Sequence, residues 1–381
     1  MTRQAIPVAR ILGIPIGLDY SWFLIFALLT WMLAVSYYPA EFHGWPLPLY
    51  WAMGAATAML FFLSILLHEL GHSVVALRYK IPVRSITLFV FGGVASIGGE
   101  PPSARAEFLI AIAGPLVSLA LGLVFYVLQP AFAASEPLSG LFRYLSYINF
   151  GVALFNLIPG YPLDGGRVFR AIVWALTHDM KRATLVAANA GRFFGFLLIL
   201  LGAWQILQGN FGGGVWIAFI GWFLDAAATG QARQLAVQDL LAGHTVSQAM
   251  TSRCATVSAD VTLQELAEEH ILAGGQRCFL VSRGDSTVGL ITPHRLSTVP
   301  RSEWMKATAA QVMVPLDESK RVAPDTELSD ALHLMDRDGV NQLPVVAQDR
   351  VVGMLTREDL ISFLRTLQAL GAWQRREAKR E

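Results

Sequence analysis

The sequence predicts a polytopic α-helical membrane domain followed by a soluble α/β module, and its composition separates the two. Hydrophobic residues make up 54% of the 381 residues and charged residues only 15%, whereas about 25% of a typical soluble domain is charged. The apolar excess lies before about residue 230, and most of the charge lies after it. We therefore expect a transmembrane domain over 1–230, a linker over 231–245 and a soluble module beyond it.

The first part contains about six apolar stretches that can cross a bilayer, which takes about 20 residues in a helix. A further apolar helix over 164–177 is too short to cross alone. Lysine and arginine are concentrated in the connections 78–105 and 178–182. The positive-inside rule then puts both termini and the soluble module on the cytoplasmic side of the cell membrane. The expected spans are 20–38, 50–73, 106–128, 142–160, 184–207 and 214–229.

Residues 85–98 differ from the surrounding helical sequence. Their β-branched and aromatic residues flank a Gly92-Gly93 pair, which predicts a small β-hairpin at the membrane edge. This hairpin can pack against the helix ends, or its edge can pair with an extended peptide. In the second case, proline at Val90 or Val94 would remove a hydrogen-bond donor from that edge.

The second span ends in the motif HELGH at 68–72. His68 and His72 are four residues apart, so they share one helix face and can hold one metal ion; neutral imidazole is a good zinc ligand. Glu69 lies about 100° further round the helix, where its carboxylate can accept a proton from an attacking water. Two core histidines beside an unrelated acid are the alternative. Their position at bilayer depth argues against it, because ionisable groups there are costly and mostly functional.

A catalytic zinc takes three protein ligands, and Asp164 is the candidate for the third. It follows the span that ends near Asn156, in the segment NLIPGYPLDGG. Asp164 can instead cap the next helix, but irregular backbone at membrane depth favours the ligand. Gly165 and Gly166 would let a substrate or a metal approach closely. Asn156 can donate hydrogen bonds to substrate or to a developing oxyanion, or it can pack between helices.

HELGH on one span and NLIPGYPLDGG on a later one resemble the site-2 protease family of intramembrane zinc metalloproteases, over about residues 10–230. The segment Ala113-Gly114-Pro115 is similar to that family too. The resemblance implies one Zn²⁺ held by the two histidines and the aspartate of these motifs, with the HELGH glutamate as catalytic base. It also implies a membrane-anchored protein substrate, often a regulatory protein already trimmed by another protease, whose transmembrane helix must unwind locally.

The soluble module contains a repeat, because 246–296 aligns with 310–360. Each copy predicts an amphipathic helix, two short strands and a second helix. The repeat resembles a pair of cystathionine-β-synthase (CBS) motifs. We expect these motifs over 246–300 and 308–370, followed by a disordered charged tail over 371–381.

CBS pairs often bind adenine nucleotides such as ATP, ADP or AMP. The resemblance assigns the ribose-contacting Thr-x-x-Asp to Thr356 and Asp359, whereas the first copy has Arg295 where the aspartate belongs. The module can therefore bind a nucleotide that controls activity, or it can bind none and form a homodimer.

Two other functions are open from the sequence. A CBS-gated membrane ion transporter would also combine spans with CBS motifs, but it needs no base at Glu69, and the spans show no inverted repeat. A catalytically inactive chaperone of membrane segments would be expected to lack Glu69 or a ligand. A net charge of +1 argues against nucleic acid as a partner. The sequence favours a zinc endopeptidase.

Overall fold

The chain divides into two compact units, Met1–Gln234 and Leu235–Glu381. The boundary lies within the stretch expected as a linker, 231–245. A helix continues through this stretch as far as Leu241, so most of the expected linker is helical. The computed structural model describes residues 5–252, 254–272, 279–284, 286–291, 296, 299–315, 320–348 and 350–377.

The described part of the first unit is mainly helical. Its helices are α1 Tyr20–Glu41, α2 Leu47–Arg78, α3 Ala104–Ala131, α4 Glu136–Asn156, α5 Asp164–Thr177, α6 Met180–Leu207 and α7 Phe211–Leu241. Five of these, α1, α2, α3, α6 and α7, are long and apolar enough to cross a membrane. The remaining expected span corresponds to α4, which has 21 residues and includes Arg143 and the buried polar residues Ser146 and Asn149. Helix α5 is the short helix expected over 164–177.

Close backbone packing joins α6 to α7. A Cβ added at Gly195 would lie 2.7 Å from the Gly221 carbonyl oxygen, and one added at Gly202 would lie 2.5 Å from that of Gly214. Small residues at such positions let membrane helices approach until their backbones touch. These glycines therefore explain how α6 and α7 pack together.

A four-stranded sheet lies beside the helices, in the order β1 Ile6–Ile11, β2 Ile14–Leu18, β3 Val83–Phe89 and β4 Gly92–Ile97. Strands β3 and β4 are the expected hairpin, and β4 forms one edge of the sheet. The sequence did not predict β1 and β2. They are joined by a tight turn at Leu12 and Gly13, which have φ values of 51° and 81°, and β2 pairs in parallel with β3.

The sheet packs on the end of α2 that bears the HELGH motif. Ile14 of β2 and Ile86 of β3 form a buried cluster with Leu70 of α2. The edge strand β4 is thereby held next to this motif.

The second unit is an α/β module with two sheets. Strands β5 Ala255–Ser258, β6 Phe279–Arg283, β7 Ser286–Ile291 and β8 Val314–Pro315 form one sheet, and β9 Gln342–Ala347 pairs with β10 Arg350–Thr356. The described helices and helical turns are Val246–Ala249, Leu263–Glu265, Leu266–Leu272, Arg301–Glu303, Ala309–Val312, Leu328–Asp338 and Arg357–Glu377.

The second copy has the expected order of helix, two strands and helix. In the first copy, the helix expected after β7 and the residue Arg295 lie outside the described residues, apart from Leu296. The two copies interlock: Val246 packs with Leu343 and Leu355 of the second copy, and Ala309 packs with Phe279 of the first. Each hydrophobic core therefore contains residues from both copies.

Candidate metal centre

Helices α2 and α3 together orient the two histidines, which are both buried. The Nδ1 atom of His72 lies 2.7 Å from the Ile110 carbonyl oxygen, and that of His68 lies 2.9 Å from the Ser118 hydroxyl. A carbonyl oxygen only accepts hydrogen bonds, so the Nδ1 of His72 carries the proton and its Nε2 keeps a free lone pair. Contacts of this kind fix ring orientation in metal-binding histidines.

Asp164 faces both rings. It is the first residue of α5, and the N-cap position before it is Leu163, whose side chain makes no capping bond. The Oδ2 atom of Asp164 lies 3.1 Å from the Nε2 of His68 and 3.1 Å from the Nε2 of His72. The two Nε2 atoms are 3.3 Å apart. Asp164 is thus turned toward the histidines and does not occupy the N-cap position.

These distances match the spacing of ligands around a metal. A tetrahedral zinc with bonds of about 2.0–2.1 Å holds its ligand atoms about 3.3 Å apart. One donor atom from each of His68, His72 and Asp164 lies within 4.8 Å of the others. Gly114 of α3 keeps this space open, because a Cβ there would lie 2.6 Å from the Nε2 of His68 and closer still to that of His72. Two imidazoles and one carboxylate fit a catalytic zinc.

The two glycines after Asp164 have a different role from the one expected. A Cβ on Gly165 would clash with the Leu157 backbone, and one on Gly166 would clash with the Gly160 backbone. They let the start of α5 pack closely against the segment that precedes it. The expectation that they make room for substrate or metal was wrong, because protein backbone fills that space.

Glu69 lies beside the edge strand β4. A Cβ on Gly93 would lie 2.6 Å from the Cγ of Glu69 and 3.2 Å from its Oε1. The backbone amide of Ala95, two residues further along the strand, interacts with the Glu69 carboxylate, which also interacts electrostatically with both histidines and Asp164. The candidate base is therefore held between the metal-binding side chains and a strand edge.

Three other residues singled out from the sequence are a helix end, a turn residue and a strand residue. Asn156 is the last residue of α4 and is half-buried; the short contacts between the three donor side chains do not involve it. Val90 lies in the turn between β3 and β4, where its N–H donates to the Ser21 hydroxyl at 3.2 Å. Val94 lies within β4, opposite Thr87.

Thr356 and Asp359 form a helix cap. The Oδ2 of Asp359 accepts hydrogen bonds from the Thr356 N–H at 2.9 Å and from its hydroxyl at 2.7 Å. The Asp359 N–H donates to the Thr356 hydroxyl at 3.1 Å, and the second Asp359 oxygen accepts from the Thr251 hydroxyl at 3.0 Å. Reciprocal bonds of this kind define a capping box. The module repeats this arrangement at Thr245 and Gln248, Thr262 and Glu265, and Thr308 and Gln311.

Comparison with known proteins finds matches to two families. Residues 56–135 and 130–202 match Peptidase family M50, and residues 310–366 match the CBS domain. The protein named zinc metalloprotease Rip3 from Mycobacterium tuberculosis is 36% identical over 95% of this chain and 93% of its own length. The protein named zinc metalloprotease sll0528 from Synechocystis is 35% identical over 95% of this chain and 96% of its own.

A solved structure is also similar to this chain. The site-2 protease from Methanocaldococcus jannaschii is 29% identical, covers 60% of this chain and 95% of its own, and superposes with a TM-score of 0.42. The family assignment rests on the two full-length relatives and on the matched family segments. This chain belongs to Peptidase family M50, the site-2 protease family of zinc metalloproteases, and carries a CBS domain.

Proposed function

We propose that this protein is an intramembrane zinc endopeptidase that hydrolyses peptide bonds in or near the transmembrane segments of membrane-anchored regulatory proteins. The observation that supports this most directly is the convergence of His68, His72 and Asp164, with Glu69 alongside. Membership of a peptidase family favours this function over a CBS-gated ion transporter.

The residues of the centre divide the chemistry between them. The two histidines and Asp164 hold one zinc ion, which when bound acts as a Lewis acid on the scissile carbonyl and on water. Glu69 accepts the proton of the attacking water and passes it to the leaving amine. Asn156, at the end of α4, donates its amide hydrogens to the substrate backbone or to the developing oxyanion.

Strand β4 presents the substrate. A transmembrane helix keeps its carbonyls hydrogen-bonded, so it must open before water can attack. An opened chain can then add to the free edge of β4 by main-chain pairing. The contacts of Gly93 and Ala95 with Glu69 support this role, because they put that edge within reach of the base.

The membrane topology follows from the spans and the charges. We propose a multi-pass protein in the cell membrane whose termini, zinc site and CBS module are all cytoplasmic. The basic connections 78–105 and 178–182 and the apolar helices support this arrangement.

In this proposal, nucleotide binding to the CBS module controls the rate of proteolysis. Asp359 provides an adenine-nucleotide site, and the nucleotide shifts proteolysis by binding differently to two states of the enzyme. Because Asp359 already caps a helix and binds Thr251, a ribose must compete with these bonds. Titration of ATP, ADP and AMP against the full-length enzyme, with and without Asp359→Ala, tests this site. Absence of binding in the wild type would leave the module as a dimerisation or substrate-docking unit.

Cleavage of a tagged transmembrane segment tests the main proposal. Purified enzyme in lipid should cut the segment, and a strong chelator should stop the cleavage until zinc is restored. Glu69→Ala should be inactive with its zinc retained. Full activity in zinc-free protein, or in Glu69→Ala, would contradict the proposal.

A further inference from the structure

A buried ion pair joins the helices that carry the two halves of the metal centre. Glu107, near the start of α3, is fully buried. Its Oε1 atom accepts a hydrogen bond from the Nε of Arg170 in α5 at 2.6 Å and a second from the Nη2 of the same guanidinium. Within the described residues, the other carboxylate oxygen is buried without a hydrogen-bond partner. The charge of Glu107 is therefore compensated mainly by Arg170.

Arg170 also contacts the segment that leads to Asp164. Its guanidinium carbon lies 5.4 Å from the centre of the Tyr161 ring, a distance at which a cation is attracted to an aromatic face. The Tyr161 N–H donates to the Ala187 carbonyl of α6 at 3.2 Å. The Arg170 side chain thus contacts Glu107 of α3 and the ring of Tyr161, three residues before Asp164.

Glu107 lies on the side of α3 that orients the histidines. On this buried side, the Ile110 carbonyl bonds to His72 and the Ser118 hydroxyl bonds to His68. Gly114 lies between them in sequence and leaves space beside both rings. Helix α3 therefore fixes the orientation of the two histidines, and α5 with its preceding segment fixes the position of Asp164. The Glu107–Arg170 pair is a charged link between the two.

We infer that Glu107 and Arg170 are positioning residues that set the distance from Asp164 to the two histidines, and so the zinc affinity. This inference rests on the proposed zinc site. A buried ion pair is weak evidence for a gain in stability, since well-packed apolar residues often replace one without loss. Two N–H groups of the planar Arg170 guanidinium donate to one oxygen of Glu107, which fixes the direction of the contact. The pair is therefore better explained as a device that fixes the geometry of α3 relative to α5.

The test measures zinc affinity by chelator competition, together with the unfolding midpoint of the metal-free protein. Arg170→Lys keeps the charge and removes the fork; Glu107→Gln keeps the shape and removes the charge. Each should weaken zinc binding by about 10–100-fold, as loss of outer-shell contacts does, and should lower kcat more than it changes KM. A matched control is Arg192→Gln, which removes another interhelical ion pair, that with Asp225 at 3.4 Å between α6 and α7. Its zinc affinity should equal that of the wild type.

The outcomes separate this inference from the proposed function. Wild-type protein that binds no zinc would contradict the zinc site itself. Wild-type zinc affinity in a folded Arg170→Lys or Glu107→Gln protein would overturn the positioning role, as would a lower unfolding midpoint with unchanged zinc affinity. If these two variants fail to fold, Glu107→Asp decides, because it keeps the charge and shortens the reach. Unchanged zinc affinity in Glu107→Asp would likewise overturn the inference.

Discussion

The metal centre and the Thr356–Asp359 pair are both short polar motifs, but the fold uses their atoms differently. At the metal centre, the Nδ1 atoms of the histidines bond to α3, while both Nε2 atoms and the Asp164 carboxylate face one another. In the CBS module, both oxygens of Asp359 accept hydrogen bonds from neighbouring threonines.

This difference shows how far each motif supports a function. Two buried imidazoles and a carboxylate at ligand spacing are costly to hold together unless an ion or another group compensates them. A Thr-x-x-Asp sequence can be explained completely as a capping box, which stabilises a helix with no ligand. Variants that alter each site separately test this difference.

The largest expected effect is that of Gly114→Ala. The added Cβ would enter the space between the two Nε2 atoms, so the protein should lose its zinc and with it all cleavage. Gly151→Ala in α4 is the matched control, because a Cβ there meets no atom within 4 Å. Zinc content and cleavage are measured on both variants. A Gly114→Ala protein that holds zinc as tightly as the wild type would contradict the site geometry.

Glu69→Gln should have the next largest effect. The amide is nearly isosteric but cannot accept the proton of the attacking water, so the cleavage rate should fall by about 10²–10⁴-fold. Zinc content should stay at the wild-type level, since the three ligands are unchanged. Single-turnover cleavage beside metal analysis checks both expectations. A rate near that of the wild type would show that Glu69 is not the base.

Val94→Pro should reduce cleavage several-fold. Successive N–H groups of a strand point to opposite sides, so with the Ala95 amide toward Glu69 the Val94 N–H faces β3. Proline at Val94 therefore weakens the pairing that holds β4 next to Glu69, while the zinc ligands lie on helices and should keep their metal. Val90→Pro is the comparison, because Val90 lies in the turn and its N–H is already held by Ser21. If Val94→Pro folds and cuts like the wild type, the hairpin has only a structural role.

The smallest effect is expected in the CBS module. Asp359→Ala removes the hydrogen bonds that the Asp359 carboxylate accepts from Thr356 and Thr251. The helix Arg357–Glu377 should therefore lose about 1 kcal/mol of stability. Asp359→Asn keeps an acceptor and should lose less. Hydrogen exchange of this helix in the full-length protein, without nucleotide, measures both. Unchanged protection in Asp359→Ala would show that the cap contributes nothing.

Sequence alone predicted the parts of this molecule that depend on composition and local spacing. The apolar helices, the β3–β4 hairpin and the His68–His72 spacing all follow from periodicity and residue type. Family membership and the CBS domain agree with the resemblance seen in the two motifs.

Other features depend on contacts between distant segments, and the sequence did not reveal them. The short β1–β2 hairpin, with prolines at positions 7 and 15, shows no alternation of polar and apolar residues. The partners of the histidine Nδ1 atoms, Ser118 and the Ile110 carbonyl, lie about 40–50 residues away along the chain and have no motif of their own. Gly165 and Gly166 were assigned to the wrong contact, because the sequence does not show which backbone lies against them.

Zinc content measured beside cleavage, on the same preparations of wild type and His72→Ala, tests the central claim most directly. The wild type should hold one zinc per chain and cut a tagged transmembrane segment. His72→Ala should hold none and should not cut, since two donors and an empty position cannot replace the three-ligand site. A His72→Ala protein that cuts at the wild-type rate, or a zinc-free wild type that cuts, would contradict the account.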